Sequence, residues 1–435
     1  MRIDLDTAFL DDGIRSTNFF NGRLLSAEDL TQEQQARKEA LKQLGRAIGE
    51  GVVYGLTVEA VTGGGSNTDP TVTVKKGLAL NREGRPLELK QEVTVSLLRG
   101  AANTESTTGG TGDFGACAPP GSVYVSGTGV YLLVISEADG REGRATTSGL
   151  GGLPGTGCEA RRLVEGVRFR LLRLDVPEAD LQNTSAKVQL LRNKVAYQCF
   201  GTPEGALTWP FTEPENGYGL VDKLRPHFLT PCDVPLAVLH WRDGVGIRWV
   251  DMWSVRRHPV QVGTPVPWLA GRGERREREA EAMFLQFQEQ VALLHVQSLA
   301  LASVKATDHF AYLPSAGVLP LGGFTGTSGF DYLKFFEGLP ARKPITIEGA
   351  RVAPLLRAAR DYPPMELSRK ELLWLYLVRE NQLAVSAGTA SRRPQPYLVF
   401  ATGHMPYWGD PRFDTAKWDG AHYASLGPSA DQPGP

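Results

Sequence analysis

The sequence has little of what marks secreted and membrane proteins. It contains only four cysteines in 435 residues, Cys117, Cys158, Cys199 and Cys232. Their wide spacing matches neither a dense disulfide framework nor a zinc ribbon, so we expect mostly free thiols. The start, MRIDLDTAFLDDG, has no basic segment followed by an apolar one, and no apolar run reaches the length of a membrane span. We therefore expect cytoplasmic synthesis and folding, without direct membrane insertion.

The sequence also lacks an excess of charge of either sign. Its 47 basic and 48 acidic residues leave a formal net charge of -1. A chain so balanced has no long-range attraction for nucleic acid or anionic lipid. We expect no nucleic-acid partner.

Signatures of catalysis and of cofactor binding are missing as well. The sequence contains no phosphate-binding loop, no dinucleotide fingerprint, no nucleophile elbow and no HExxH zinc motif. No two of its seven histidines are four residues apart, so no local metal site is expected. We predict a protein without catalytic residues, cofactor or metal. A polysaccharide-cleaving enzyme stays open as an alternative, since two carboxylates distant in sequence match no motif.

Turn-forming residues, in contrast, are abundant: 49 glycines and 29 prolines indicate many turns and short strands. With 41% hydrophobic residues, the chain can bury several cores. We predict a multidomain α+β protein. The predicted units are an N-terminal helix with a small β-unit over 1–99, a Gly/Thr-rich loop over 100–121, a β-rich domain over 122–262, a Pro-rich connector with a long helix over 263–302, an α+β domain over 303–427 and a disordered tail over 428–435.

The N-terminal helix has a recognisable start. Ser26 followed by Asp29 forms an acidic variant of the capping box, and Gly49 ends the helical pattern. The helix carries Leu30, Leu41, Leu44 and Ile48 on one side and therefore requires a partner surface.

Strand patterns follow this helix. Three partly alternating, β-branched runs between residues 51 and 97 predict the small β-unit. Further on, DVPLAVLHWRDGVGIRWVDMWSV predicts a hairpin whose turn is Asp243-Gly244.

A long helix is predicted after residue 272, and its apolar residues follow coiled-coil spacing. This row packs either against a second copy or inside the chain, and the pattern leaves both open. The candidate helix seam consists of Phe284, Phe287, Val291, Leu294 and Leu301.

Near the C-terminus, aromatic residues cluster in a turn-rich stretch. Tyr407, Trp408 and Trp418 are candidates for a platform that binds a glycan. Ordinary packing of aromatic side chains in a loop is the competing interpretation.

One block is more specific than composition or periodicity. It reads FFNGRLLSAEDLTQEQ over residues 19–34, then a helix, then GVVYGLTV over residues 51–58. This block resembles a module near the start of baseplate and tail-fibre-associated proteins of contractile phage-tail-like injection systems. FAYLPSAGVLPL and FDYLKFFEGLP, further on, also resemble tail-associated proteins of such systems.

The resemblance implies a structural subunit in the baseplate or fibre-attachment region, docked to other baseplate, spike or fibre subunits. Such a subunit is expected to be homo-oligomeric within a particle that assembles in the cytoplasm, and whether the particle is released stays open. A fibre-like receptor-binding or glycan-binding protein of the same particle is the alternative function.

Apolar residues around the start of the N-terminal helix are candidate docking anchors, since desolvated aromatic and aliphatic side chains dominate interface energies. The competing interpretation is that they seal the helix onto its own β-unit as a hydrophobic staple. The candidate docking residues are Phe19, Phe20, Leu24, Leu25 and Leu30.

Overall fold

The fold is described by a computed structural model. It has several separate sheets and helices and is a multidomain α+β structure, as the composition predicts. The structure describes residues 14–61, 70–98, 125, 127–146, 158–177, 188–201, 219–225, 227–260, 274–297, 300–321, 329–379 and 397–408.

The N-terminal unit consists of one helix and two three-stranded antiparallel sheets. Helix α1 spans Ala27–Ile48 and ends at Gly49, as predicted. The sheets have the strand orders β1-β4-β5 and β2-β3-β6. Their strands are β1 (Gly51–Gly55), β2 (Val58–Ala60), β3 (Thr71–Val74), β4 (Gly77–Leu80), β5 (Pro86–Leu89) and β6 (Val93–Ser96).

The central unit is a four-stranded antiparallel sheet of order β10-β9-β7-β8. The predicted hairpin is β9 to β10, with the turn at Asp243-Gly244. The strands are β7 (Gly129–Thr146), β8 (Cys158–Leu174), β9 (Asp233–Arg242) and β10 (Gly246–Asp251), and the helices are α2 (Val188–Phe200) and α3 (Leu220–Leu224).

The two faces of the central sheet pack against different partners. Because side chains alternate along a strand, Tyr131, Leu133 and Ile135 of β7 lie on one face. They share a core with Val52 and Leu56 of the N-terminal unit. On the opposite face, β7 residues of even number pack against α2. The N-terminal β-unit and the central sheet are therefore built around one continuous core, and the predicted boundary near residue 99 stays a prediction.

The C-terminal unit contains the long helix α4 (Glu274–Gln297), where the sequence predicts it. A four-stranded mixed sheet has the order β12-β16-β15-β13, with β13 parallel to β15. Strands β11 and β14 form a separate antiparallel pair. The remaining elements are α5 (Ala306–His309), β11 (Tyr312–Leu313), β12 (Ala316–Pro320), α6 (Tyr332–Phe335), β13 (Ile345–Glu348), α7 (Val352–Ala358), β14 (Met365–Glu366), β15 (Leu373–Arg379) and β16 (Tyr397–Thr402).

A buried polar cluster joins the central and C-terminal units. Asp251, 0% exposed, accepts hydrogen bonds from Arg192 Nε at 3.1 Å and Gln286 Nε2 at 2.9 Å. Tyr312 donates its hydroxyl to Gln286 Oε1 at 2.7 Å. Beside it, the Asn193 side-chain amide donates to Gln290. These contacts link α2, β10, α4 and β11 in the protein interior.

The described cysteines differ from each other. Cys199 is a free and buried thiol, and burial raises its pKa to about 12, so it is an inert core residue. Cys232 is disulfide-bonded, which corrects the expectation of free thiols at that position.

Replacing Asp251 by alanine is expected to destabilise the protein strongly. The change leaves the buried Arg192 guanidinium without its most buried counter-charge, at a cost of about 3–5 kcal/mol. Chemical denaturation followed by tryptophan fluorescence measures the loss. Asp139→Ala, at an exposed position of β7, is the control and should shift stability by less than about 0.5 kcal/mol. Equal effects of the two substitutions would contradict the assigned role of Asp251.

His240 on β9 is expected to make stability depend on pH. It is buried beside Trp249, neither ring nitrogen has a hydrogen-bond partner among the described residues, and burial lowers its pKa from 6.5 to about 4. Between pH 6.5 and about 4, His240 is therefore protonated in the unfolded chain and neutral in the folded chain. Stability present above pH 6.5 is lost as the pH falls toward 4, by about 3 kcal/mol when complete. In denaturation curves at a series of pH values, His240→Phe should flatten this window, and an unchanged pH dependence would exclude His240 as its cause.

Candidate docking surface

The segment that enters α1 is held by a compact hydrogen-bond system. Ser26 Oγ accepts from the Asp29 backbone N–H at 3.1 Å, and the Asp29 carboxylate accepts from the Ser26 N–H at 3.0 Å, so the predicted capping box is present. Arg23 also pairs with Asp29. The hydrogen bonds from Ser26, and then Arg23, lower the pKa of the Asp29 carboxyl group. These contacts fix the direction in which the chain enters α1, and with it the position of Leu24 and Leu25 just before the helix.

Thr17 ties the preceding chain to the side of the same helix. Its N–H donates to Glu33 Oε2 at 3.1 Å, and its hydroxyl donates to the Asp29 carbonyl at 2.9 Å. Thr17 is buried, whereas Phe19 and Phe20, two and three residues later, are exposed. The segment is therefore anchored through polar groups while its aromatic rings remain on the surface.

Helix α1 contacts the β-unit most closely at Gly45. Only Ala36 and Gly45 of α1 are buried. A Cβ atom at Gly45 would lie 1.9 Å from the carbonyl oxygen of Gly84, in the turn between β4 and β5. Gly84 has a φ of +79°, a conformation that favours glycine. Arg46 pairs with Glu83 of the same turn at 3.0 Å. The helix thus lies backbone against backbone on this turn.

This docking leaves the apolar side of α1 uncovered. Leu41, Leu44 and Ile48 are between 58% and 64% exposed. The five candidate docking residues are exposed too, from Leu25 at 49% to Leu24 at 93%. We call this set the N-terminal apolar surface: Phe19, Phe20, Leu24, Leu25, Leu30, Leu41, Leu44 and Ile48.

The exposure bears on the two interpretations of these residues. A hydrophobic staple would bury the candidate side chains against the β-unit. All five are instead about half exposed or more, from 49% for Leu25 to 93% for Leu24. Soluble proteins rarely leave so many neighbouring large apolar side chains in water without a use for them. Their role in docking remains a prediction.

A long β-arm stands next to α1. Strand β9 pairs with β7 only as far as Ser136, whereas β7 and β8 pair with each other out to Thr146. Lys38 of α1 forms an ion pair with Glu165 of this arm at 2.7 Å. Leu163, two residues from Glu165 and on the same face of its strand, is 75% exposed. Leu163 is not among the residues predicted from sequence, and its signal there is a pair of apolar residues within a strongly charged stretch.

Ion pairs join the base of α1 to the rest of the protein. Glu50, just after the helix, pairs with Arg225, which also pairs with Asp222 at 2.7 Å. Asp222 accepts from Arg275 of α4 at 2.6 Å. Burial alone raises the pKa of Asp222, but Arg275 and Arg225 outweigh it and hold that pKa below its usual value. The N-terminal unit, the central unit and α4 therefore meet in one network of charges.

The candidate helix seam lies inside the chain. Phe287, Val291, Leu294 and Leu301 are buried in the C-terminal core, and Phe287 packs edge-on against Phe400 at 5.2 Å between ring centroids. Phe284 is half-buried and lines a cavity between α4 and α7. In this structure the seam is occupied by the chain's own sheet.

The candidate glycan platform is not an exposed aromatic face where the structure describes it. Tyr407 is 4% exposed and packs against Trp374 and Tyr376, at 4.9 and 6.2 Å between ring centroids. This corrects its placement on a surface platform. Trp408 is half-buried, and its backbone N–H donates to the Tyr376 hydroxyl. Trp418 lies outside the described residues.

The comparisons with known proteins show little. No protein family matches the sequence, and no curated protein matches it. Among solved structures, the chain is similar to one titled "Crystal structure of TssK", at 10% sequence identity and a TM-score of 0.24. The alignment covers 66% of this chain and 50% of that chain, so the present chain spans about half the length of the TssK it matches. A TM-score this low carries no structural or functional argument.

Across the described residues, no group of three or more His, Cys, Asp or Glu side chains is placed to hold a metal ion. No helix within the described ranges is long and apolar enough to cross a membrane.

Substituting Gly45 by alanine is expected to loosen α1 from the β-unit. The added methyl group collides with the Gly84 carbonyl, and neither backbone can yield without moving the helix. The cost should be about 1–3 kcal/mol, although alanine is the better helix former. Hydrogen exchange should be faster in α1 and in the β4–β5 turn. Gln43→Ala, at an exposed position of α1, is the control, and equal exchange in both variants would contradict the close contact.

Proposed function

We propose that this protein is a non-enzymatic structural subunit of a contractile phage-tail-like injection system. It works in the baseplate or fibre-attachment region by docking to other subunits of the particle. The docking element is the N-terminal apolar surface, and Phe20 and Leu24 are the most exposed of the five candidate docking residues within it.

One observation carries this proposal. The segment that resembles the module of such systems is the segment whose apolar side chains are presented to solvent. Phe19 to Leu30 lie within the FFNGRLLSAEDLTQEQ block, and polar contacts at Thr17 and Ser26 hold them in that position. A large apolar surface on a fixed support has the composition of an interface core, where a few aromatic and aliphatic anchors supply most of the affinity.

The support under this surface favours docking over a mobile recognition loop. The β-unit shares its core with the central sheet, and the charge network at Glu50 reaches α4. A preformed surface binds without the entropy cost of ordering a chain. Tyr407 does not support the glycan-binding alternative, since its ring is enclosed in the core.

The proposal is tested by purifying the C-terminally tagged protein from its native host and identifying what accompanies it by mass spectrometry and negative-stain imaging. Sheath, tube and spike proteins in sheathed particles are expected. Replacing Phe20 and Leu24 by glutamate should lower their recovery about tenfold or more, because two desolvated anchors become charged. Leu333→Glu, at an exposed leucine of α6, is the matched control and should leave recovery unchanged. A wild-type protein that emerges without any of these components would overturn the proposal.

A further inference from the structure

Part of the N-terminal apolar surface has the features of a helix-pairing seam. We propose that α1 pairs antiparallel with α1 of a second copy of this chain, about a two-fold axis near Glu39. The inference rests on the proposed role of this surface in docking and names one occupant of it.

The exposed residues along α1 recur at a regular spacing. Positions 30, 34, 37, 41, 44 and 48 follow one another in alternating steps of four and three, the spacing at which two helices pack side by side. All six are exposed, whereas the buried Ala36 and Gly45 lie outside this row. The row, from one end of the helix to the other, is Leu30, Gln34, Arg37, Leu41, Leu44 and Ile48.

Charges of opposite sign are separated along the helix. The half up to Ala36 contains three acidic residues and no basic one, and the half from Arg37 contains four basic residues and one acidic one. Arg23 offsets part of the negative half, and Glu165 and Glu83 offset part of the positive half, but the two halves keep opposite signs. Antiparallel pairing places each half against its opposite, and the helix dipoles favour the same direction. Parallel pairing places like charges together.

One antiparallel register satisfies both the spacing and the separation of charge. With the axis near Glu39, Leu30 of one copy faces Ile48 of the other, Gln34 faces Leu44 and Arg37 faces Leu41. Each polar residue of the row thus lies against a leucine, and its end can reach the solvent at the rim. A shift by one heptad toward the C-terminal ends would set the two basic halves against each other.

The state of association is the first test. Sedimentation equilibrium of the full chain at about 10 μM should give twice the chain mass of 47.3 kDa. The double variant Leu41→Glu/Leu44→Glu should sediment as a folded monomer, with an unchanged circular dichroism spectrum because both side chains are exposed. Leu333→Glu is the control and should remain dimeric. A monomeric wild type, a trimer, or a dimer that survives the double variant would each overturn the inference.

The orientation is tested with single cysteines at facing positions. A Gln34→Cys chain mixed with a Leu44→Cys chain should form a disulfide-linked pair under mild oxidation, and either variant alone should form about tenfold less. Parallel pairing would link each variant to itself, which would overturn the antiparallel arrangement. Wild-type protein treated in the same way measures the background from native cysteines.

These tests are separable from the test of the proposed function. If the protein is a monomer in sedimentation but still co-purifies with sheath, tube and spike components, the helix pairing alone is overturned. If the protein is an antiparallel dimer but co-purifies with none of these components, the proposed function alone is overturned.

Discussion

The arrangement of the central and C-terminal units depends on the burial of one carboxylate. Asp251 ends β10 in a position without access to solvent, so its charge requires donors from its surroundings. Those donors come from Arg192 on α2 and Gln286 on α4. An uncompensated charge at this depth would cost far more than an apolar mismatch, so α2 and α4 have to meet at the end of β10. The hydrophobic contacts between Phe200, Met283 and Tyr312 complete the junction.

The N-terminal helix obeys a different constraint, because its closest contact with the protein is made by backbone. Gly45 and Gly84 approach until no side chain fits between them. Gly45 faces the β-unit while the leucines of α1 are exposed to solvent, the reverse of the usual orientation of an amphipathic helix. The apolar surface is therefore a product of how the helix is attached, and the attachment is tied by ion pairs to the central unit and to α4.

Local chemistry made much of the fold predictable from sequence. The capping box at Ser26, the stop at Gly49 and the Asp243-Gly244 turn each act within a few residues, so the bounds of α1 and of the β9–β10 hairpin follow from the sequence. The burial of Tyr407 could not be predicted in this way, since Trp374 and Tyr376 lie about thirty residues away in the chain. The spacing of α4 likewise does not reveal whether its seam meets a second copy or the chain's own sheet. Which side of α1 faces solvent depends on the contact between Gly45 and Gly84. The spacing of apolar residues in the sequence does not predict that contact.

The attachment of the chain immediately after α1 has a consequence under load. Glu50 exchanges two backbone hydrogen bonds with Val260, at 3.1 and 3.0 Å, and the Val52 N–H donates to the Arg257 carbonyl at 2.8 Å. A pull on the end of α1 therefore loads the Glu50–Val260 bonds together with the first residues of β1. Bonds that are strained together resist a force better than bonds that open one after another. Tension applied at the helix is thereby shared between β1 and the segment that follows β10.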